Sequence, residues 1–215
     1  MIISWHGLSC FEIATKTSSG EATLLTNPYD NETGLRLPKT LSPDLVVVSH
    51  DSSDANNLEV LQNKPFTVST PGEFEVKGIF IYSLAAPLAE KGMNNHRIFR
   101  IEVEDMHLVY LGALNRVLKA SELEEIGNVD ILMIPVGGGR VLTPKLAVEV
   151  IEQLEPKIVI PMFYGVSGLK ESLGEVEVFC KAMGVPKNEA VNKLKITKRD
   201  LPEEEDMLVT VLEHA

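Results

Sequence analysis

Basic residues are in short supply here. Twenty Lys and Arg stand against 31 Asp and Glu, a formal net charge of −11. Nucleic acids and anionic membranes capture proteins through basic patches that displace counterions, so neither is expected as a partner. The tightest basic group, KLKITKR at 193–199, reads as the outward side of a late strand. Long apolar runs are missing too: none approaches the roughly 20 residues that span a bilayer. The opening MIISWHG lacks a basic region followed by an apolar one, so it reads as a first strand and not as a signal peptide. There are two cysteines, Cys10 and Cys180, without CxxC spacing. That excludes a disulfide framework and is expected of a cytoplasmic protein with two buried thiols, although a Cys10–Cys180 bridge stays open. No repeat of 20 to 50 residues appears, which excludes solenoids and propellers. No Pro/Ser-rich linker interrupts residues 1–215, so one domain is expected.

The remaining 44% hydrophobic and 24% charged composition is that of an ordinary globular chain. MIISW, CFEIAT and ATLLTNP are short β-rich runs separated by turns such as TSSG. LVVV (45–48), VDILMIPV with its strand at 130–134, and KIVIPMFYG with its strand at 158–161 are buried runs, as expected of strands covered on both faces. IFRIEVED and HLVYLG predict a hairpin. NNLEVLQNK, SELEEIG with Ser121 as N-cap, TPKLAVEVIEQLEP with Thr143 as N-cap and Pro144 at N1, and LKESLGEVEVFCKAMG predict helices. KLKITKRDL and MLVTVLE close the chain as strands. Many strands, then β-α-β-α, then two strands, predict a layered α/β sandwich.

Reactive groups collect just past the carboxyl ends of buried strands. SHDSSDANN (49–57) offers His50, Asp51 and Asp54. YLGALN offers Tyr110, and PMFYG offers Phe163 and Tyr164. PVGGGR lacks the Lys-Ser/Thr ending of a phosphate-binding loop, so its glycines read as a tight turn. A catalytic metal site needs three or more N/O ligands and an open position for water. A serine nucleophile is the other enzymatic reading, since Ser49, Ser52 and Ser53 flank His50, but no G-x-S-x-G elbow supports it. The structural alternative has His50 bonded to the loop backbone and Asp54 capping the following helix.

Six stretches in order resemble the metallo-β-lactamase-fold superfamily, in its lactonase-like branch of metal-dependent hydrolases. ISWHGLSCFEI is similar to ITWLGHSCFLI, and LLTNPYD to ILIDPF. VVVSHDSSDANN takes the place of the THxHxDH metal motif. PGEFEVKGIFI is similar to PGEYEVxGIxI, VYLGAL stands where HLGDL is expected, and DILMIPVGGG with EPKIVIPMFYG matches DVLLIPVGG and PKIVIPMHY. The resemblance implies a four-layer αββα sandwich. It retains the family's first motif histidine as His50 and its aspartate as Asp54. The other family positions differ: Ser52 and Ala55 replace histidines, Leu8 the histidine of GHS, Asn27 the aspartate of IDP, Ala113 the bridging aspartate, and Phe163 the histidine of PMHY. A further histidine, sought near SLAAPLAEKG (83–92), has no counterpart.

Ala, Leu and Phe offer a cation no lone pair, and Asn27 lacks the charge that orients a ligating histidine. The expectation is therefore a relative that has lost the metal site, needs no cofactor, and binds a small ligand or a protein partner. Its cleft would be lined by His6, Leu8, Asp51, Ser52, Asn57, Tyr110, Phe163 and Tyr164. Homo-oligomerisation and pairing with an active paralogue stay open. The alternative is a divergent metal-dependent hydrolase of lactones, phosphodiesters or esters. It would use a reduced site in which His50, Asp54 and His6 meet and hold zinc, manganese or iron.

Overall fold

The computed structural model describes residues 1–89, 95–186, 189–203 and 206–215. Two sheets are stacked. The first contains β1 (Ile2–Trp5), β2 (Phe11–Thr17), β3 (Gly20–Thr26), β4 (Leu45–Val47), β5 (Phe66–Val68) and β12 (Leu194–Lys195), in the order β12-β1-β2-β3-β4-β5. The second contains β6 (Gly72–Val76), β7 (Ile79–Ala85), β8 (Arg97–Val103), β9 (Met106–Tyr110), β10 (Ile131–Pro135), β11 (Ile158–Met162) and β13 (Leu208–Val209), in the order β13-β11-β10-β9-β8-β7-β6. This is the sandwich of the metallo-β-lactamase type that the motifs imply.

Each sheet is part antiparallel and part parallel, and the sequence shows where each changes. β2 alternates buried and half-buried residues, as a strand with one wet face does. β4, β10 and β11 are buried throughout, and β3, β4 and β5 pair in parallel, as do β9, β10, β11 and β13. Parallel pairing requires crossovers. Those of the second sheet are made by α1 (Ala120–Ile126), α2 (Pro144–Leu154) and α3 (Val176–Ala182). α2 starts where the sequence predicts: Thr143 Oγ1 accepts from the Leu146 amide at 3.3 Å, and Pro144 is the first helical residue. It buries Ala147, Val150, Ile151 and Leu154, a stripe at helical spacing. The sheets are joined directly by Tyr110 Oη donating to the Ser9 carbonyl (2.9 Å) and Arg97 Nε to the Val48 carbonyl (3.1 Å).

Three predicted helices come out differently. NNLEVLQNK forms only a 3-10 turn at Leu58–Val60. α1 begins two residues early: Lys119 is its N-cap, and the Glu122 carboxylate takes the Lys119 amide at 2.8 Å, so Ser121 is not the cap. The last helix is shortened to α3, because Gly174 is held in extended contact, donating to the Gly137 carbonyl at 2.8 Å and accepting from the Gly165 amide at 2.9 Å. Those tertiary bonds occupy backbone groups a longer helix would need. The closing strands shrink to two residues each. Both cysteines are buried and no disulfide joins them, which settles the open bridge.

Candidate functional site

Four chain turns meet at the carboxyl ends of β4, β9 and β11. The Phe163 amide donates to the Leu8 carbonyl at 2.9 Å, the Arg97 amide to the Ser49 carbonyl at 2.8 Å, and the Ala113 amide to His96 Nε2 at 3.2 Å. Leu8, Asn27 and Phe163 have φ of 48°, 37° and 56°. Left-handed backbone is uncommon for non-glycine residues and costly for bulky ones. These are three of the positions where the resemblance expects histidine or aspartate.

His50 lies between two partners. Its Nδ1 is 2.8 Å from Ser49 Oγ, and its Nε2 is 3.2 and 3.3 Å from the Asp54 carboxylate oxygens. Asn27 accounts for the ring's orientation. Its amide donates to Ser49 Oγ at 2.7 Å and to Ser9 Oγ at 3.0 Å, while its oxygen accepts from the Ser49 amide at 2.8 Å. An ionised aspartate cannot donate, so it could not make the first two bonds. With Ser49 Oγ accepting from Asn27, its own proton goes to His50 Nδ1. The ring's Nε2–H is then left to donate to Asp54.

Arg140 is the residue the sequence reading missed. It leaves the glycine turn of PVGGGR and reaches Asp54 Oδ2 with Nη2 at 2.9 Å, and Glu171 with Nε and Nη2 at 2.8 and 3.0 Å. Its guanidinium lies 4.7 Å above the Phe163 ring, an attractive cation–π placement. Burial works to raise the Asp54 pKa, but the His50 bond, the charges of His50 and Arg140 and a Ser52 hydrogen bond outweigh it, so the carboxyl is held well below its usual range. A lone arginine after three glycines gives no signal in sequence that it will meet an aspartate 86 positions away.

His96 fills the space beside Ala113. Its ring centroid is 6.0 Å from that of His50, Nδ1 donates to the Ala86 carbonyl at 3.0 Å, and Nε2 accepts from Ala113. Burial first, then the His50, Arg97 and Arg116 charges, bring its pKa down to about 3 against the Ala86 bond. It is a neutral histidine with both nitrogens engaged.

Several expected cleft residues lie elsewhere. His6 does not meet His50 or Asp54: its Nε2 is 3.9 Å from Glu12, and neither ring nitrogen has a hydrogen bond among the described residues. Tyr164 stacks on Trp5 at 4.7 Å and bonds the Leu212 carbonyl, lining a different 260 Å³ pocket with His214. Leu8, Tyr110 and Phe163 are at the cleft but fully buried. Asp51, Ser52 and Asn57 line an open 360 Å³ depression with Asp30 and Glu32. Asp54 caps no helix, and His50 bonds side chains and not loop backbone. Of the stretch 83–92, residues 90–92 lie outside the described residues.

The sandwich and its strand-end cleft define a member of the β-lactamase superfamily. The family model described as the beta-lactamase superfamily domain matches residues 2–163, and the chain belongs to that family. Its relatives are more particular. A UPF0173 protein of Pyrococcus abyssi is 26% identical, covering 78% of this chain and 85% of its own. A UPF0173 metal-dependent hydrolase of Thermodesulfovibrio yellowstonii is 26% identical, covering 90% and 89%. The crystal structure of a candidate zinc-dependent hydrolase of the metallo-β-lactamase superfamily from Thermotoga maritima superposes with TM-score 0.77 at 27% identity, covering 99% of both chains.

These relatives correct the expectation that no cofactor is involved, because their names point to metal use. The donor set of this chain does not match a centre of three or more ligands. Among the described residues no three His, Cys, Asp or Glu side chains converge. Asp54 Oδ2 is already shared by His50 and Arg140. Leu8, Ala55, Ala113 and Phe163 supply no donor. Among the same residues, no helix is long and apolar enough to cross a membrane.

Proposed function

We propose that this chain is a divergent hydrolase of the metal-dependent hydrolase family, acting on a lactone, phosphodiester or ester through a reduced site around His50 and Asp54. The observation that carries this reading is the hydrogen-bonded pair itself, retained at two family positions and reinforced by Arg140. The His50 side chain keeps 14% of its surface open. A water that displaces the Ser49 hydroxyl from Nδ1 gives its proton to the ring, while Asp54 holds Nε2–H and stabilises the resulting imidazolium. Two buried cysteines with no disulfide between them support a cytoplasmic setting.

The test is hydrolysis of 4-nitrophenyl acetate, bis(4-nitrophenyl) phosphate and a homoserine lactone, with and without added zinc, manganese or iron, alongside elemental analysis of the purified protein. A general base contributes about 10²–10⁴-fold, so His50→Ala and Asp54→Ala should lower the rate by at least about 100-fold. Activity that survives both substitutions, or no activity under any condition, rejects the reading. A second reading, ligand or partner binding without turnover, is favoured by the complete burial of Leu8, Ala55 and Phe163, which closes the cleft. It predicts no hydrolysis but a saturable ligand.

A further inference from the structure

A cavity of 630 Å³ lies away from the cleft and is larger than either pocket described above. None of the residues lining it belongs to the His50, Asp54 and Arg140 corner. One wall is the half-buried face of β7 and β8, which carries Tyr82 opposite Arg100 while Ile81 and Ile101 turn into the core. The edge strand β6 adds Glu73, in register with Tyr82. The other wall is α1 with the residue before it, and supplies Lys119, Ser121 and Glu125. Small-molecule sites enclose about 300–1,000 Å³, so the volume is that of a ligand site.

The charges in this cavity are sorted by end. Arg116 donates to the Pro87 carbonyl at 2.7 Å and to the Glu122 carboxylate at 2.6 and 2.8 Å. Those bonds fix the start of α1, and Lys119 with it, beside the end of β7. At the other end, Arg100 Nη1 is 3.9 Å from the position a Cβ on Gly127 would take, and Gly127 closes α1. Glu125, Tyr82 and Glu73 belong to that end. Arg100 is neutralised there by Glu102 at 2.6 Å and lies 5.3 Å over the Tyr82 ring. Lys119, Glu73 and Glu125 have no ion pair among the described residues. One unpaired cation therefore stands about 9 Å along the helix from two unpaired carboxylates, six residues at a rise of about 1.5 Å. Ser121 is spared for other bonds because Lys119 caps α1 in its place. On the sheet wall, Ser83 Oγ and Arg100 Nε are buried with no hydrogen-bond partner among the described residues. Native interiors leave few such atoms, and a carbonyl is an acceptor that both could use.

We propose that this cavity binds a short peptide with free ends, its carboxylate at Lys119 and Ser121 and its ammonium between Glu73 and Glu125. Extended chain rises about 3.3–3.6 Å per residue, so three residues span the two charged ends. A single amino acid holds its two charges too close together to reach both. The site is separate from the cleft and does not rest on the hydrolase reading.

The experiment titrates trialanine, N-acetyl-trialanine and trialanine amide into the isotope-labelled full chain and follows the backbone amides by NMR. In wild type, trialanine should shift Gly72, Ser83, Ser121 and Glu125 saturably and leave Ser49 and His50 unmoved. Each blocked peptide should bind about fivefold more weakly, the loss of one ion pair at the upper end of the exposed range. Lys119→Ala should weaken trialanine by the same factor and leave the amide unchanged. Glu73→Gln combined with Glu125→Gln should weaken trialanine and leave the N-acetyl peptide unchanged. All three residues are exposed, so the variants fold, which their unmoved core resonances verify. His50→Ala should bind trialanine as wild type does, so this proposal and the hydrolase reading fail separately. The proposal is overturned by no saturable shift, by shifts at the cleft instead, by blocked peptides that bind as well as the free one, or by variants that weaken blocked and free peptides equally.

Discussion

His96 makes the stability of this protein depend on pH in a window that can be worked out. An imidazole free in the unfolded chain titrates near 6.5, and in the folded chain its pKa is down to about 3. The folded state therefore binds fewer protons than the unfolded state between those values. Stability is complete above about pH 6.5 and falls as pH drops, by about 1.4 kcal/mol per unit. From pH 6.5 to 4.5 the loss from this one group is about 2 kcal/mol, a large share of the 5–15 kcal/mol that holds typical domains together. Asp54 acts in a separate window, because its depressed pKa costs stability only below about 3.8. His214, also depressed, adds to the same slope as His96, so wild type alone does not isolate the effect. His96→Gln does: the amide oxygen can still accept from the Ala113 amide but does not titrate. Urea unfolding at pH 7.5, 6.0, 5.0 and 4.5 should give wild type a steeper loss, with the difference between the two proteins growing by about 1.4 kcal/mol per unit below pH 6.5. Parallel profiles for the two proteins would refute a neutral, buried His96.

Asp54→Asn should destabilise by about 1–3 kcal/mol, since His50 and Arg140 both lose a charged acceptor; chemical unfolding at pH 7 measures it, and a neutral result would mean that the pair is not formed in solution. Gly112→Ala would place a Cβ 2.4 Å from Ser49 Oγ at a φ of +55°, so about 2–4 kcal/mol of stability should be lost and His50 should lose its Ser49 partner, seen as a shifted ring resonance by NMR. Phe179→Ala empties a fully buried position on the inner side of α3 and should cost about 3–5 kcal/mol by the same unfolding measurement.

Much of the fold was legible because strand periodicity and burial go together. The three buried runs became β4, β10 and β11, and the start of α2 was written in Thr143 and Pro144. NNLEVLQNK and the first half of LKESLGEVEVFCKAMG misled because helical spacing carries no information about tertiary contacts. Gly174 is straightened by Gly137 and Gly165, which lie 37 and 9 positions earlier. At the site, His50 and Asp54 could be picked out from local spacing, and their hydrogen bond is an i, i+4 contact. His6 could not be excluded from sequence, since only the path of β1 turns its ring toward Glu12.

Sequence alone determined the sandwich, the presence of His50 and Asp54, and the lack of a metal donor at Leu8, Ala55, Ala113 and Phe163, because each is a matter of side-chain type or short-range pattern. Only the tertiary structure decided that Arg140 closes on Asp54, that Asn27 aims Ser49 at His50, and that His96 sits neutral against Ala113. Each of these depends on which distant loops share a dry corner. Electrostatic environment is a property of that shared space, where low polarisability magnifies every charge, and it is not written in any one segment of the chain.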